Sequence, residues 1–184
     1  LCQPRRRRYA GAMNESERVW TAAVLVIGDE ILSGRTQDRN IAQIALWLNL
    51  QGIRLAEVRV VPDRMEAIGA AVTALKAGND YLFTTGGIGP THDDITADSV
   101  HKAFGLPCIY DLAAMTHLGE MYKRREMEFT EARQRIARMP AGAKHIRNTV
   151  STAPGVIVYN AYVTPGARCV ASYTADHVRT SCWP

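Results

Sequence analysis

Residues 81–98 read Tyr-Leu-Phe-Thr-Thr-Gly-Gly-Ile-Gly-Pro-Thr-His-Asp-Asp-Ile-Thr-Ala-Asp, and this stretch decides the fold. Its first three residues predict a short buried strand because they are apolar or aromatic. The three glycines that follow tolerate backbone angles that other residues resist, so a ligand can approach the bare backbone there. From Thr96, a predicted N-cap, helical spacing continues until Gly105 ends it. The order of strand, glycine loop and helix predicts an anion-binding site.

The glycine loop differs from two well-known phosphate-binding loops. No Gly-Lys-Ser/Thr follows its glycines, as a Walker A loop requires. Gly86, Gly87 and Gly89 do not fit the Gly-x-Gly-x-x-Gly spacing of a Rossmann fingerprint. Phosphate binding through either of these two loops is therefore excluded.

The segments around this loop alternate between strand and helix patterns. Ala22–Ile27 is a continuous apolar run, which is typical of a strand buried on both faces of a parallel sheet. The other predicted elements are helices built on Ile41, Ile44, Ala45 and Leu48, on Met65 to Gly78, after Asp111 and from Thr130, strands over 53–61 and 161–164, and a β-hairpin over 144–150 and 156–159. This pattern predicts an α/β fold, a doubly wound sandwich with a mostly parallel sheet plus a small β-hairpin element.

Composition favours a soluble, cytoplasmic protein with no membrane partner. No apolar run in the 184 residues approaches the ~20 needed to cross a bilayer, and the N-terminus lacks the apolar segment of a signal peptide. The formal net charge of +4 equals the charge of the run Arg5 to Arg8, so nucleic acid is not a favoured partner. The four cysteines form no Cys-x-x-Cys pair, which argues against a zinc ribbon or a disulfide framework.

The sequence of the loop from Thr84 to Thr96 closely resembles that of the molybdopterin-binding domain family. The resemblance is greatest to the branch that forms the N-terminal domain of competence/damage-inducible protein A. The resemblance covers residues 21–166 and implies a three-layer α/β sandwich that binds a molybdopterin-like or nucleotide-like ligand. In this branch it implies a metal-dependent pyrophosphatase acting on ADP-ribose or similar dinucleotides, with a divalent metal such as Mg²⁺. It also implies a homo-oligomer, either a dimer or a trimer.

Asp94 is the first candidate for a catalytic and metal-binding residue. It matches the aspartate in the family pattern Gly-Gly-x-Gly-x-x-x-x-Asp-x-Thr, and carboxylates often hold Mg²⁺ beside phosphates. Asp93 is a second candidate for metal binding and catalysis, and Asp63 is a further catalytic candidate. Structural alternatives stay open, because Asp94 can stabilise the helix start, and Asp63 together with Glu66 resembles a capping box.

Ligand-binding residues are expected in three segments that match the family pattern. They are Gly28, Asp29, Glu30 and Ser33; Thr85, Gly86, Gly87, Gly89, Pro90, Thr91, His92 and Thr96; and Pro165 and Gly166. The first segment follows a predicted strand at its carboxyl end, where open α/β sheets bind ligands. His92 is also a candidate acid or base at neutral pH, although a loop histidine without such a role is the alternative.

The sequence leaves three functions open and predicts three segments of the chain. A pyrophosphatase is favoured over a non-catalytic pterin- or nucleotide-binding module, and adenylyl transfer in molybdenum cofactor biosynthesis is a further alternative. Residues 1–20 are expected to form a flexible basic tail and residues 21–166 the molybdopterin-binding-like domain. Residues 167–184 are expected to be poorly ordered, because the helix and strand patterns stop after Gly166.

Overall fold

A computed structural model of the chain describes residues 18–88, 94–146 and 155–164. Seven predicted site residues lie outside these ranges: Gly89, Pro90, Thr91, His92, Asp93, Pro165 and Gly166. The predicted tail over 167–184 lies outside them as well, as do residues 1–17 of the predicted N-terminal tail.

Most of the strands belong to one central sheet. The strands are β1 (Trp20–Ile27), β2 (Ile53–Val61), β3 (Tyr81–Thr85), β4 (Cys108–Tyr110), β5 (Arg138–Pro140), β6 (Lys144–Ile146), β7 (Gly155–Val158) and β8 (Ala161–Thr164). Six of them pair in the order β2-β1-β3-β8-β7-β6, and β1, β2, β3 and β8 run parallel. The predicted hairpin extends this sheet, because β7 pairs antiparallel with both β8 and β6. β4 and β5 form a small antiparallel sheet of their own.

The helices connect these strands much as the sequence predicts. They are α1 (Asp29–Leu32), α2 (Asn40–Leu50), α3 (Met65–Gly78), α4 (Thr96–Phe104), α5 (Leu112–Arg124) and α6 (Glu131–Gln134), followed by a 3₁₀ helix over Arg135–Ala137. Asp111 caps α5 as predicted, because its carboxylate accepts a hydrogen bond of 2.7 Å from the Ala114 N–H. Gly105 ends α4 in the left-handed conformation with φ 65°. In the described part of the chain, no helix is long and apolar enough to span a membrane.

Helices cover both faces of the central sheet, which confirms the three-layer α/β sandwich. Leu82 and Phe83 are neighbours in β3 and point to opposite faces, and each is completely buried. Leu82 packs with Ile68 of α3 in a cluster that also includes α4. Phe83 packs with Leu48 of α2 on the other face. The sheet is therefore buried on both sides, as the continuous apolar runs predict.

β2 lies at one edge of the central sheet, and its pairing with β1 is irregular. Ala22 pairs with Leu55, but the next residue, Ala23, pairs with Glu57. Ala56 is consequently an extra residue on β2, which makes a β-bulge. The bulge lies near the start of β1, at the end of the sheet opposite to the glycine loop.

We expect Phe83→Ala to lower the free energy of unfolding by about 3–5 kcal/mol. The Phe83 ring stacks on Tyr162 with centroids 4.9 Å apart and meets Trp47 edge-on at 6.0 Å, so its removal leaves a cavity. Leu50→Ala, on α2 but 75% exposed, is the control and should change the value by less than about 0.5 kcal/mol. Urea denaturation followed by circular dichroism measures both, and equal losses would contradict the packing described.

Candidate functional site

The loops after β1 and β3 touch through their backbones at the carboxyl edge of the sheet. Gly86, directly after β3, has φ 102°, and a Cβ at this position would lie 2.0 Å from the carbonyl oxygen of Ile27. No side chain tolerates that distance, and a strand backbone cannot move aside as a flexible side chain can. Only glycine fits at this position, and the contact joins the two loops into one surface.

Gly87 is held against the start of α4. It has φ 63°, and a Cβ there would lie 2.2 Å from Thr96 Oγ1. The buried Thr96 hydroxyl donates to the Gly86 carbonyl at 3.0 Å, and the Thr96 N–H donates to the Gly87 carbonyl at 3.1 Å. The N-terminus of α4, which carries a partial positive charge, therefore lies against the glycine loop.

Thr96 has a different role from the predicted one. The helix already begins at Thr96, Ile95 occupies the N-cap position, and no side chain caps this end. The prediction of Thr96 as N-cap was wrong because Thr96 is the first helical residue, and its hydroxyl bonds to the glycine loop. Its burial explains why a threonine, with a methyl group to pack, stands there.

Asp63 connects the loops after β1 and β2. Its Oδ2 accepts a hydrogen bond of 2.9 Å from the N–H of Asp29, the first residue of α1. In addition, the Gly28 N–H donates to the Val61 carbonyl at 3.1 Å. Asp63 thus lies at the same edge of the sheet as the glycine loop.

The predicted capping box at Asp63 is one residue out of register. α3 begins at Met65, so Arg64 occupies the N-cap position with an extended backbone. A capping box would need the cap at Asp63 and Glu66 as the third helical residue. The contact with Asp29 gives Asp63 a role that the local spacing did not reveal.

Glu30 and Ser33 both belong to the short turn of α1. The Glu30 carboxylate folds back over Gly28, where a Cβ would lie 2.6 Å from its Oε1. The Ser33 hydroxyl donates to the Glu30 carbonyl at 3.3 Å and accepts from Arg35 Nε at 3.0 Å. Glu30 therefore faces the predicted site, whereas the bonds of Ser33 close its own turn.

Two residues at the carboxyl edge of the sheet, Asn40 and Thr164, were not predicted from the sequence. Asn40, the first residue of α2, donates through Nδ2 to the hydroxyl of Thr85 at 3.0 Å. Thr164, the last residue of β8, donates through its hydroxyl to the Thr84 carbonyl at 2.7 Å. Their positions could have indicated this role, because each is a polar residue where an apolar strand ends or a helix begins.

The contacts bring together Gly28, Asp29, Asp63, Thr85, Gly86, Gly87 and Thr96 of the predicted site residues. Asp94 is half-buried and lies two residues before α4. Among the residues that the structure describes, a group of three metal-ligating side chains occurs only at Asp98, His101 and Cys108. The predicted metal residue Asp94 is thus not part of a described three-ligand group.

The fold and the site together define a class of protein. Parallel strands end in a glycine loop, two loops with carboxylates and a helix N-terminus, which is the arrangement of α/β domains that bind ligands at the carboxyl edge of the sheet. Residues 23–178 match the family model described as "Probable molybdopterin binding domain". The chain belongs to this family, and its relatives show that it is a domain of the CinA type, with the MoaB/Mog-like fold.

Sequence relatives are longer than this chain. A CinA-like protein of Citrifermentans bemidjiense is 41% identical over 136 residues, which cover 74% of this chain and 33% of that protein. A protein of Metallosphaera sedula is 34% identical over 138 residues, which cover 74% of this chain and 52% of that protein. The chain therefore spans between a third and about half of the length of these curated relatives.

Solved structures agree with the family assignment. CinA of Thermoplasma acidophilum, a protein with unknown function, is 30% identical with a TM-score of 0.76, over 88% of this chain and 95% of that chain. The tungsten cofactor synthesizing protein MoaB of Pyrococcus furiosus is 20% identical with a TM-score of 0.55, over 89% of this chain and 92% of that chain. The second similarity concerns the fold alone.

We expect Gly86→Ala to lower the free energy of unfolding by about 3 kcal/mol or more, because the added methyl group collides with the backbone of Ile27. Gly142→Ala is the matched control. Gly142 also has a positive φ, 78°, but no atom lies within 4 Å of its Cβ position, so only backbone strain of about 1–2 kcal/mol applies. Chemical denaturation of both variants measures the difference, and equal losses would rule out the close contact.

Proposed function

We propose that this domain binds a phosphorylated nucleotide or pterin ligand at the carboxyl edge of its sheet and hydrolyses a phosphate anhydride of the ADP-ribose type. The observation that carries the proposal is the fixed backbone of Gly86 and Gly87, held against Ile27 and Thr96 where no side chain fits. The family description, which names molybdopterin, supports a pterin-type ligand. Loops of this kind next to a helix N-terminus favour phosphate groups.

The orientation of the glycine loop supports anion binding. The carbonyls of Gly86 and Gly87 both point to Thr96, which donates to each of them. In a planar trans peptide the N–H points opposite to the carbonyl. The N–H groups of Gly87 and Ile88 are therefore opposite to the carbonyls that bond to Thr96, and we propose them as donors to the anion.

Two carboxylates, those of Asp94 and Asp63, belong to the same part of the molecule. They would repel a bound phosphate unless a cation lies between them. Mg²⁺ is usually held by one or two carboxylates together with waters and substrate phosphates, so the chemistry of either carboxylate fits a hard cation. Such an ion, when bound, polarises the phosphoryl group and activates water. Asp94 is the residue we assign to it, with Asp63 and Asp93 as the further candidates.

A non-catalytic binding module is the second candidate function. It is favoured by one observation, which is that the Asp63 carboxylate accepts a hydrogen bond from the Asp29 N–H and so has a structural role without a metal. Such a module would hold the phosphate on the same loop without turnover. Binding and hydrolysis measured on the same ligands separate the two functions.

We expect ADP-ribose-type anhydrides to be cleaved only in the presence of a divalent metal, because the carboxylates otherwise oppose the phosphates. A screen of ADP-ribose, NAD, FAD and adenylated pterin, with Mg²⁺ and with a chelator, measures product release. Turnover in the presence of the chelator would contradict the metal-dependent mechanism. Binding without turnover for every compound would favour the module.

Asp94→Asn is expected to reduce turnover by about 100-fold or more while the free energy of unfolding changes by less than about 0.5 kcal/mol, since the volume is kept and the charge is lost. Asp111→Asn is the matched control, because asparagine caps a helix as well as aspartate does. Its activity and stability should both remain. Retained activity together with a large loss of stability in Asp94→Asn would instead identify a structural aspartate.

A further inference from the structure

A second group of polar side chains lies on α4 and β4. Its first member, Asp98, is two residues after Thr96, which bonds to the glycine loop. Asp98 Oδ1 lies 3.7 Å from His101 Nε2 and 3.8 Å from Cys108 Sγ. The three potential ligand atoms all lie within 4.8 Å of one another, and each side chain is half-buried. Tetrahedral zinc with bonds of about 2.0–2.3 Å separates its ligand atoms by roughly 3.3–3.7 Å, so small side-chain movements suffice to reach that geometry.

The backbone that follows α4 fixes the orientation of the His101 ring. The Leu106 N–H donates to the His101 carbonyl at 2.9 Å, and the Leu106 carbonyl lies 3.0 Å from His101 Nδ1. Because a carbonyl only accepts, Nδ1 carries a proton, and in the neutral ring the lone pair of Nε2 faces Asp98. Histidines that bind metals are typically oriented in this way by a hydrogen bond from the other ring nitrogen.

We propose that Asp98 Oδ1, His101 Nε2 and Cys108 Sγ form a binding site for a divalent transition-metal ion, with Zn²⁺ as the ion that the donors favour. A thiolate and an imidazole select borderline ions such as Zn²⁺, whereas Mg²⁺ and Ca²⁺ prefer oxygen donors only. Three protein ligands leave the fourth tetrahedral position for water or an external ligand. This site is chemically distinct from the all-oxygen carboxylates beside the glycine loop.

An ion pair with Arg138 is the competing explanation for Asp98. The Arg138 guanidinium lies 2.6 Å from Oδ1 and 3.0 Å from Oδ2, and Arg135 lies 3.9 Å from Oδ2. The Arg138 guanidinium also hydrogen-bonds with the Cys108 sulfur, but it does not orient the ring of His101, which is held by the Leu106 carbonyl. Metal binding at Oδ1 would displace Arg138 Nη2 from that oxygen, while Nη1 can remain on Oδ2, since a carboxylate offers about four lone-pair positions.

Metal binding at this site exchanges one proton. The Cys108 thiol donates to Asp98 Oδ1 across 3.8 Å, and a bound metal would take the place of this proton. On binding, the Cys108 sulfur forms a bond to the metal and its proton passes to solvent. The bound ion would link α4 to β4 and the small sheet.

Cobalt and zinc binding to the full chain tests the proposal. When Cys2, Cys169 and Cys182 are replaced by serine, Cys108 is the remaining cysteine. We expect Co²⁺ to bind this protein with a thiolate-to-cobalt charge-transfer band and the visible absorption of a tetrahedral site, and Zn²⁺ to displace it. Adding Cys108→Ser should remove the charge-transfer band, and adding His101→Ala should weaken Co²⁺ affinity by about tenfold or more.

Two control variants separate this site from other histidines and from the anion site. His117→Ala removes an exposed histidine of α5 and should leave Co²⁺ binding unchanged. Asp94→Asn should leave the thiolate-to-cobalt charge-transfer band unchanged, because Asp94 offers no sulfur, so this readout does not depend on the proposed anhydride hydrolysis. The proposal is overturned if the folded single-cysteine protein binds neither ion, or if binding and its charge-transfer band survive both Cys108→Ser and His101→Ala. Cys108→Ser replaces only the sulfur by oxygen, so this variant should fold. It therefore tests the site even if His101→Ala does not fold.

Discussion

The contact between Gly86 and the carbonyl oxygen of Ile27 is the constraint on which the rest of the site depends. It forces the chain to leave β3 with no side chain and a positive φ, directly beside the end of β1. Thr96 then fixes the following peptide groups, and this places the N-terminus of α4 at the same edge. Because each contact is made by backbone or by a buried hydroxyl, the geometry of the loop is built into the fold before any ligand arrives.

The sheet and its helices were predictable because their signals are local. Ala22–Ile27 is apolar throughout, and this pattern identifies a strand buried on both faces without knowledge of its partners. Asp111 and Gly105 act as cap and stop within a single turn, so their roles depend only on near neighbours. The glycine loop was predicted for the same reason, since three closely spaced glycines allow backbone angles that other residues resist.

The details of the site were less predictable because they depend on residues far apart in the chain. Asp63 contacts Asp29 across 34 positions, and Asn40 contacts Thr85 across 45. Nothing in the spacing of Asp63 distinguishes this contact from a helix cap. Thr96 shows the same limit, because a threonine at a helix start fits a cap until the partner of its hydroxyl is known. Tertiary contacts decided each of these roles.

The bulge at Ala56 affects how the domain meets other molecules. An exposed edge strand is a template on which another chain can add a strand, and this is a route to aggregation. Here the extra residue disturbs the regular ladder of β2, and it is followed by an exposed Glu57–Arg59 ion pair with an N···O distance of 2.6 Å. A further strand would have to desolvate these charges and match an irregular edge. The β2 edge should therefore resist the addition of a strand from another chain.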